Sequence, residues 1–246
     1  MANGFDPRAT AAPHTAETAG REGVAFDAGL RSHMLSVYNY MASGVLLTGI
    51  VAYALAMTGV AESIFVGGGI LSYVVIFAPL IMIFFFAARA GRMSTGGLQA
   101  FFWSFAAVMG VSMSVIPLVY NGTSIATTFV ATAAAFVSLS LWGYTTKKDL
   151  SGMGTFLLMG LVGLMVVMIG NIFIKSDTLS MVISFVGVLL FAGLTAYDTQ
   201  KIKSIYFGIA GSSEMLGRAA IFGALTLYLD FINMFQFLLS FLGNRD

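Results

Sequence analysis

Seven apolar runs of lipid-crossing length follow one another between Ser36 and Leu242, and they leave this chain little choice but a bundle of membrane helices. At about 1.5 Å of rise per residue, about 20 apolar residues cross a hydrocarbon core about 30 Å thick. The runs fall at 36–58, 64–88, 98–120, 123–143, 154–174, 179–200 and 215–242, separated by short polar breaks such as Ser94-Thr95-Gly96-Gly97, Asn121-Gly122 and Ser151-Gly152. Lipid offers no partner to an open backbone, so such runs must be helical. The predicted fold is all-α, a polytopic protein whose seven transmembrane helices occupy residues 33–246.

Composition agrees, since 58% of the residues are hydrophobic and 9% charged, where a soluble domain carries about 25% charge. Residues 1–32 differ: they hold almost no large apolar side chain and four acids, Asp6, Glu17, Glu22 and Asp27. Such a segment cannot bury enough surface to offset chain entropy, and it is expected to be a disordered tail. No signal peptide is expected, because the first apolar run begins only near Met34. The tail's composition permits a docking role toward a protein partner.

Lysine and arginine accumulate on the cytoplasmic side of short membrane loops, which gives an independent check on the span count. Seven spans put Arg8, Arg21, Arg31, Arg89, Arg92, Lys147, Lys148, Lys201, Lys203 and Arg218 on one side, and only Lys175 and Arg245 on the other. The N-terminus is therefore expected in the cytoplasm and the C-terminus outside. Gly44, Gly49, Gly160, Gly163, Gly187, Gly193, Gly217 and Gly223 are expected to let helix backbones approach closely. Pro79 and Pro117, inside the second and third spans, predict a kink or a local opening.

Several functions are excluded. A net charge of +1 with scattered basic residues does not fit a nucleic-acid partner. The chain has no cysteine, hence no disulfide, thiol nucleophile or zinc-thiolate site. His14 and His33 both read as tail residues, which leaves no histidine for a metal site or a Ser-His pair within the membrane.

What lipid does not explain is a pair of acids, Asp198 in FAGLTAYDTQ and Asp230 in GALTLYLDFINMF. A carboxylate at the centre of a membrane helix costs about 2.5–3.5 kcal/mol even on the lenient insertion scale, so it must face a cavity, a partner or a proton. Asp198 falls near the cytoplasmic end of the sixth span, where it also reads as an interfacial residue. Asp230 lies halfway along the seventh, among Leu225, Leu227, Leu229, Phe231 and Ile232. With 201–214 taken as a loop, the two acids meet only if the seventh span starts below the membrane surface or tilts. Two carboxylates in one low-dielectric site cannot both ionise freely, so such a pair shares a proton. It also suits a hard cation such as Ca²⁺, which takes oxygen ligands. Tyr197, Thr199, Gln200 and Asn233 are candidate supporting polar groups. Arg89, with Arg92 as the alternative, is the candidate counter-charge, holding a closed state that protonation of a carboxylate releases; both arginines also serve the positive-inside bias.

FAGLTAYDTQKIK and ALTLYLDFINMFQFLLSFLGNR, with the segment Gly143-Tyr144-Thr145-Thr146-Lys147-Lys148-Asp149-Leu150 between the fourth and fifth spans, resemble the Bax inhibitor-1 family and its bacterial members over roughly residues 30–246. The resemblance implies seven helices with the last one central among two antiparallel three-helix bundles. It also implies a non-enzymatic protein of the bacterial inner membrane: a pH-sensitive Ca²⁺ leak controlled by a di-aspartyl unit matching Asp198 and Asp230, with an arginine latch matching Arg89. No tightly bound cofactor is expected, and lipid, Ca²⁺ and protons are the expected partners.

Other readings of the same residues are a proton/Ca²⁺ exchanger and a modulator of a membrane protease or stress-response partner. An intramembrane aspartyl protease also carries two aspartates in consecutive helices, the first as Tyr-Asp. There, however, a Gly-x-Gly pattern precedes the second acid, whereas here the bulky Tyr228 and Leu229 precede Asp230.

Overall fold

The structure, a computed structural model, describes residues 13–66 and 69–244, with side chains from Ala28 onward. The part of the expected tail that precedes Pro13 lies outside the described residues. Nine α-helices are described: α1 (Pro13–Met57), α2 (Val60–Phe65), α3 (Ile70–Arg89), α4 (Thr95–Met113), α5 (Ile116–Val119), α6 (Gly122–Thr145), α7 (Ser151–Ile174), α8 (Asp177–Ile209) and α9 (Ser213–Leu242). A short 3-10 turn, Ala90–Arg92, closes α3. Seven stretches are long and apolar enough to cross a membrane: 28–57, 70–92, 95–119, 122–145, 151–174, 177–209 and 213–242. The chain is an integral membrane protein.

The polar breaks act as helix caps. Ser94 accepts a hydrogen bond from the Gly97 amide, Asn121 from Ser124, Ser176 from Leu179 and Ser212 from Met215, each covering an amide that the first helical turn leaves without a partner. Pro117 opens the short α5, so the third span breaks after Met113 and resumes at Ile116. Pro79 lies inside α3, which runs through it. The second span starts at Ile70 rather than 64, since residues 60–65 form the separate short helix α2.

The helices sort into two groups. In one, α1 and α3 pack on α4; in the other, α6 and α7 pack on α8. Helix α9 lies between them, against α1, α4, α6 and α8. Its span is 50% buried inside the bundle, the highest share of the seven, whereas those of α3 and α7 reach 17% and 11%. The last helix is thus central and the outer helices face lipid.

Small residues set the spacing where helices meet. A Cβ on Gly143 of α6 would strike the backbone carbonyl of Ala196 on α8, so only glycine permits that approach. Gly49 and Gly163, by contrast, have open space beside them and lie at no helix contact. Gly143→Val is expected to lower stability by about 1–3 kcal/mol through overpacking, while Gly163→Val leaves it unchanged; thermal unfolding in detergent measures both.

Candidate functional site

The site stands on the neighbours α8 and α9, joined by the tight turn 210–212. Here the structure corrects one sequence expectation: residues 201–209 are helix, not loop. The segment KIKSIYFGI loses hydropathy because it carries Lys201 and Lys203, yet Ile202 and Tyr206 are buried and keep it helical. Asp198 therefore lies eleven residues before the end of α8 at Ile209, about 16 Å inside it at the usual helical rise. It does not stand at a helix end.

The relative depth of the two acids follows from contacts between α8 and α9. Gly223 packs on Ile202, Gly187 packs on Phe237, and the Ser184 hydroxyl donates to that of Ser240 at 2.9 Å. These three pairings agree on one antiparallel register, which sets Asp198 level with 226–227. Asp230 then lies one helical turn further in, about 5 Å along the axis. The geometric demand is met because α9 begins beyond the apolar stretch, at the turn that the extended α8 reaches.

Both carboxylates are buried, Asp198 at 9% exposure and Asp230 at 4%. They lie within electrostatic reach of one another, and the Lys201 ammonium acts on Asp198 from the next turn. The Oδ2 atom of Asp230 is fully enclosed and has no hydrogen-bond partner among the described residues. A cavity of about 420 Å³ opens at the end of the bundle that carries the α8–α9 turn and runs inward between these helices. Its lining includes His33, Lys201, Arg218 and Phe222, and by the register above Asp198 and Thr226 form its deepest level. Asp230 sits one turn behind that floor.

The basic residues gather at this same end. Gln200 accepts from the Leu150 amide and donates to the Lys148 carbonyl, both at 2.8 Å. Lys203 donates to the Tyr144 carbonyl at 2.7 Å with its ammonium 5.0 Å from the Tyr144 ring centre. Arg218 donates to the carbonyls of Met93, Ala90 and Gly91, tying the start of α9 to the turn between α3 and α4. Asp149, in the exposed turn before α7, accepts from Ser151, which holds its carboxyl below the ordinary carboxylate range.

Among the residues singled out from sequence, only Asp198 and Asp230 come together. Arg89 is exposed with its guanidinium 5.2 Å from the centre of the Phe85 ring, and Arg92 is exposed on the 3-10 turn. Tyr197 packs on Gly154 of α7 with the Lys201 ammonium above its ring, and Gln200 holds the α6–α7 turn. The reason is helical phase: these two residues stand about 100° and 200° around α8 from Asp198. Asn233 donates to the Leu229 carbonyl of its own helix at 2.8 Å. Thr199 belongs to a polar chain in which the Tyr38 and Ser140 hydroxyls lie 2.6 Å apart and those of Ser140 and Thr199 2.9 Å apart, joining α1, α6 and α8.

Sequence reasoning missed His33 and Arg218. His33 is not a tail residue: it is 6% exposed, on α1, against the ring of Tyr206. The available signal was the buried stripe Leu30, Met34, Val37, Met41 and Val45, into whose first turn His33 falls. Arg218 was read only for sidedness. Arg218→Gln is expected to cost about 1.5 kcal/mol by removing charge-assisted bonds to carbonyls, and Arg218→Lys is not expected to restore it, since an ammonium cannot reach three carbonyls as a planar fork does; unfolding in detergent measures both.

Comparison with known proteins adds a family. The family described as "Inhibitor of apoptosis-promoting Bax1" matches residues 30–246. The chain is 43% identical over 220 residues to the inner membrane protein YbhL of Escherichia coli (strain K12), covering 89% of this chain and 94% of that one. It is 46% identical over 221 residues to an uncharacterized protein of Rickettsia prowazekii, covering 89% and 92%, and 46% identical over 239 residues to one of Caulobacter vibrioides, covering 93% and 95%.

Proposed function

This chain belongs to the Bax inhibitor-1 family, and we propose that it is a pH-sensitive Ca²⁺ leak of a bacterial inner membrane, gated by protonation of Asp198 and Asp230. The observation that carries the proposal is the cavity of about 420 Å³ that ends on buried Asp198, with Asp230 and its unpartnered oxygen one turn deeper. Buried acids on the line of an inward-reaching cavity are what a cation path requires. Ca²⁺ takes six to eight oxygens, and two carboxylates supply a minority of them, which suits an ion in passage still carrying water.

The sign of the pH response follows from charge. Ionised Asp198 shares its cavity with Lys201 of its own helix and Arg218 of α9, and its charge offsets the repulsion between these two cations across the mouth. Protonation removes that offset. Acidification therefore raises the leak, by up to about tenfold per pH unit for one controlling proton. In this reading the counter-charge is supplied by Lys201 and Arg218, with Arg89 a candidate for a latch in another conformation. The lysine and arginine bias supports a cytoplasmic position for the basic end, and hence for the cavity.

Proteolysis by the aspartate pair is disfavoured by packing. Tyr228 is fully buried, with its hydroxyl 2.6 Å from that of Thr48, which in turn donates to the Ala106 carbonyl. Bulky side chains thus occupy both positions before Asp230, where a Gly-x-Gly pattern would let a substrate backbone approach.

Purified protein in liposomes, with Ca²⁺ outside and an indicator within, provides the test. Wild-type flux is expected to rise between pH 8 and pH 6, whereas Asp198→Asn is expected to show a clearly shallower pH dependence. The double variant Asp198→Asn, Asp230→Asn keeping the wild-type flux and pH curve would overturn the proposal. Obligatory proton counterflow would reassign the same pair to exchange.

A further inference from the structure

We infer that His33 is a second proton-sensing residue of the cavity mouth, whose protonation drives the mouth open together with that of Asp198. The inference deepens the proposed function and rests on it. Its basis is geometric. The Nε2 atom of His33 is fully enclosed and has no hydrogen-bond partner among the described residues, although the ring lines the cavity that ends on Asp198.

A neutral imidazole carries one N–H and one lone pair, and a lone pair without a partner is tolerated in an enclosed site. An imidazolium carries two N–H donors and a full charge, and a buried charge without partners is strongly disfavoured. The closed packing therefore accepts the neutral ring and resists the charged one. Because imidazole changes charge between pH 5 and 8, that preference falls within the physiological range.

The groups facing the ring sharpen the effect. From α8 come Asp198, Lys201 and Tyr206, and from α9 comes Arg218. Among the described residues Asp198 is the one acid lining the cavity. With Asp198 ionised and His33 neutral, the lining has one positive charge in excess; with both protonated it has three. Like charges around a closed cavity repel, and hydration relieves that repulsion when the walls part.

His33 also sits where parting is possible. Its helix meets α8 at this end through the His33–Tyr206 ring contact, with centroids 5.5 Å apart, and through Gly29, which packs directly on the Tyr206 hydroxyl. A charged His33 separates α1 from α8 at the cavity's edge. Two protons bound at different residues, both favouring the open form, make the response steeper than either alone.

The test uses the full chain in two assays. In liposome flux, wild type is expected to open with about two protons, and His33→Gln with about one, its midpoint displaced to lower pH; His33→Asn serves equally if His33→Gln does not purify as a folded protein. A wild-type slope and midpoint in the folded variant would overturn the inference. The second assay is independent of Ca²⁺ flux. The chain has no cysteine, so a single Thr226→Cys at the cavity floor can be labelled with a maleimide and its rate normalised to that of the unfolded chain at the same pH. Acidification is expected to raise normalised labelling at least threefold with His33 present and clearly less with His33→Gln. Equal increases in both would overturn the role of His33. Absence of Ca²⁺ flux in wild type, with His33-dependent labelling intact, would overturn the leak and leave the proton-sensing role standing.

Discussion

Everything in this bundle is arranged around an acid on a helix that has been withdrawn from lipid. Helix α9 is the most buried span, and Asp230 at its middle is nearly inaccessible. A carboxylate there is tolerable only while neutral, paired or hydrated, because lipid and packed side chains supply no compensation for its charge. Two groups of three helices enclose α9, and in the proposed function the acid at their centre makes that enclosure conditional on protonation. The architecture and the proposed function are one constraint seen from two sides.

Polar contacts across the bundle fall in two places, and each has a distinct consequence. On one side, Tyr228 of α9 meets Thr48 of α1, which donates to the Ala106 carbonyl of α4. On the other, Tyr38 of α1, Ser140 of α6 and Thr199 of α8 form a second chain beside Asp198. Hydrogen bonds of this kind fix helix positions in a membrane, where apolar contact with lipid is as favourable as contact with another helix. At the basic end the joints are different in kind: Arg218 and Gln200 clamp turns, and Arg218 also lines the cavity. Rigid walls and a mouth held by a few charges suit a gate that opens at that end.

The spans were legible in the sequence because hydrocarbon thickness dictates a length, and seven runs met it. Their ends were less legible, since a helix that leaves the lipid loses hydropathy without losing its hydrogen bonds; α8 continues through Lys201 and Lys203 to Ile209 for that reason. The acid pair stood out because carboxylates are rare in apolar helices, and antiparallel neighbours brought the two within one turn in depth. The supporting residues did not stand out. Proximity in sequence suggested Tyr197 and Gln200, but helical phase turns both toward α7 and its preceding turn. His33 was hidden by its polar neighbours Arg31 and Ser32, although the Leu30, Met34, Val37 stripe already marked that face as buried. Arg218 performs a task that depends on a carbonyl cluster at residues 90–93, which tertiary structure creates and no local pattern announces.

The central claim is that the aspartate pair exchanges protons as part of gating, and infrared difference spectroscopy of the protein in lipid reads that directly. Acidification is expected to bring up a carboxylic-acid carbonyl band characteristic of an enclosed, weakly hydrogen-bonded group. That band should be altered in Asp198→Asn and lost in Asp230→Asn. A band unchanged by both substitutions, or none at any pH between 5 and 8, would contradict the account.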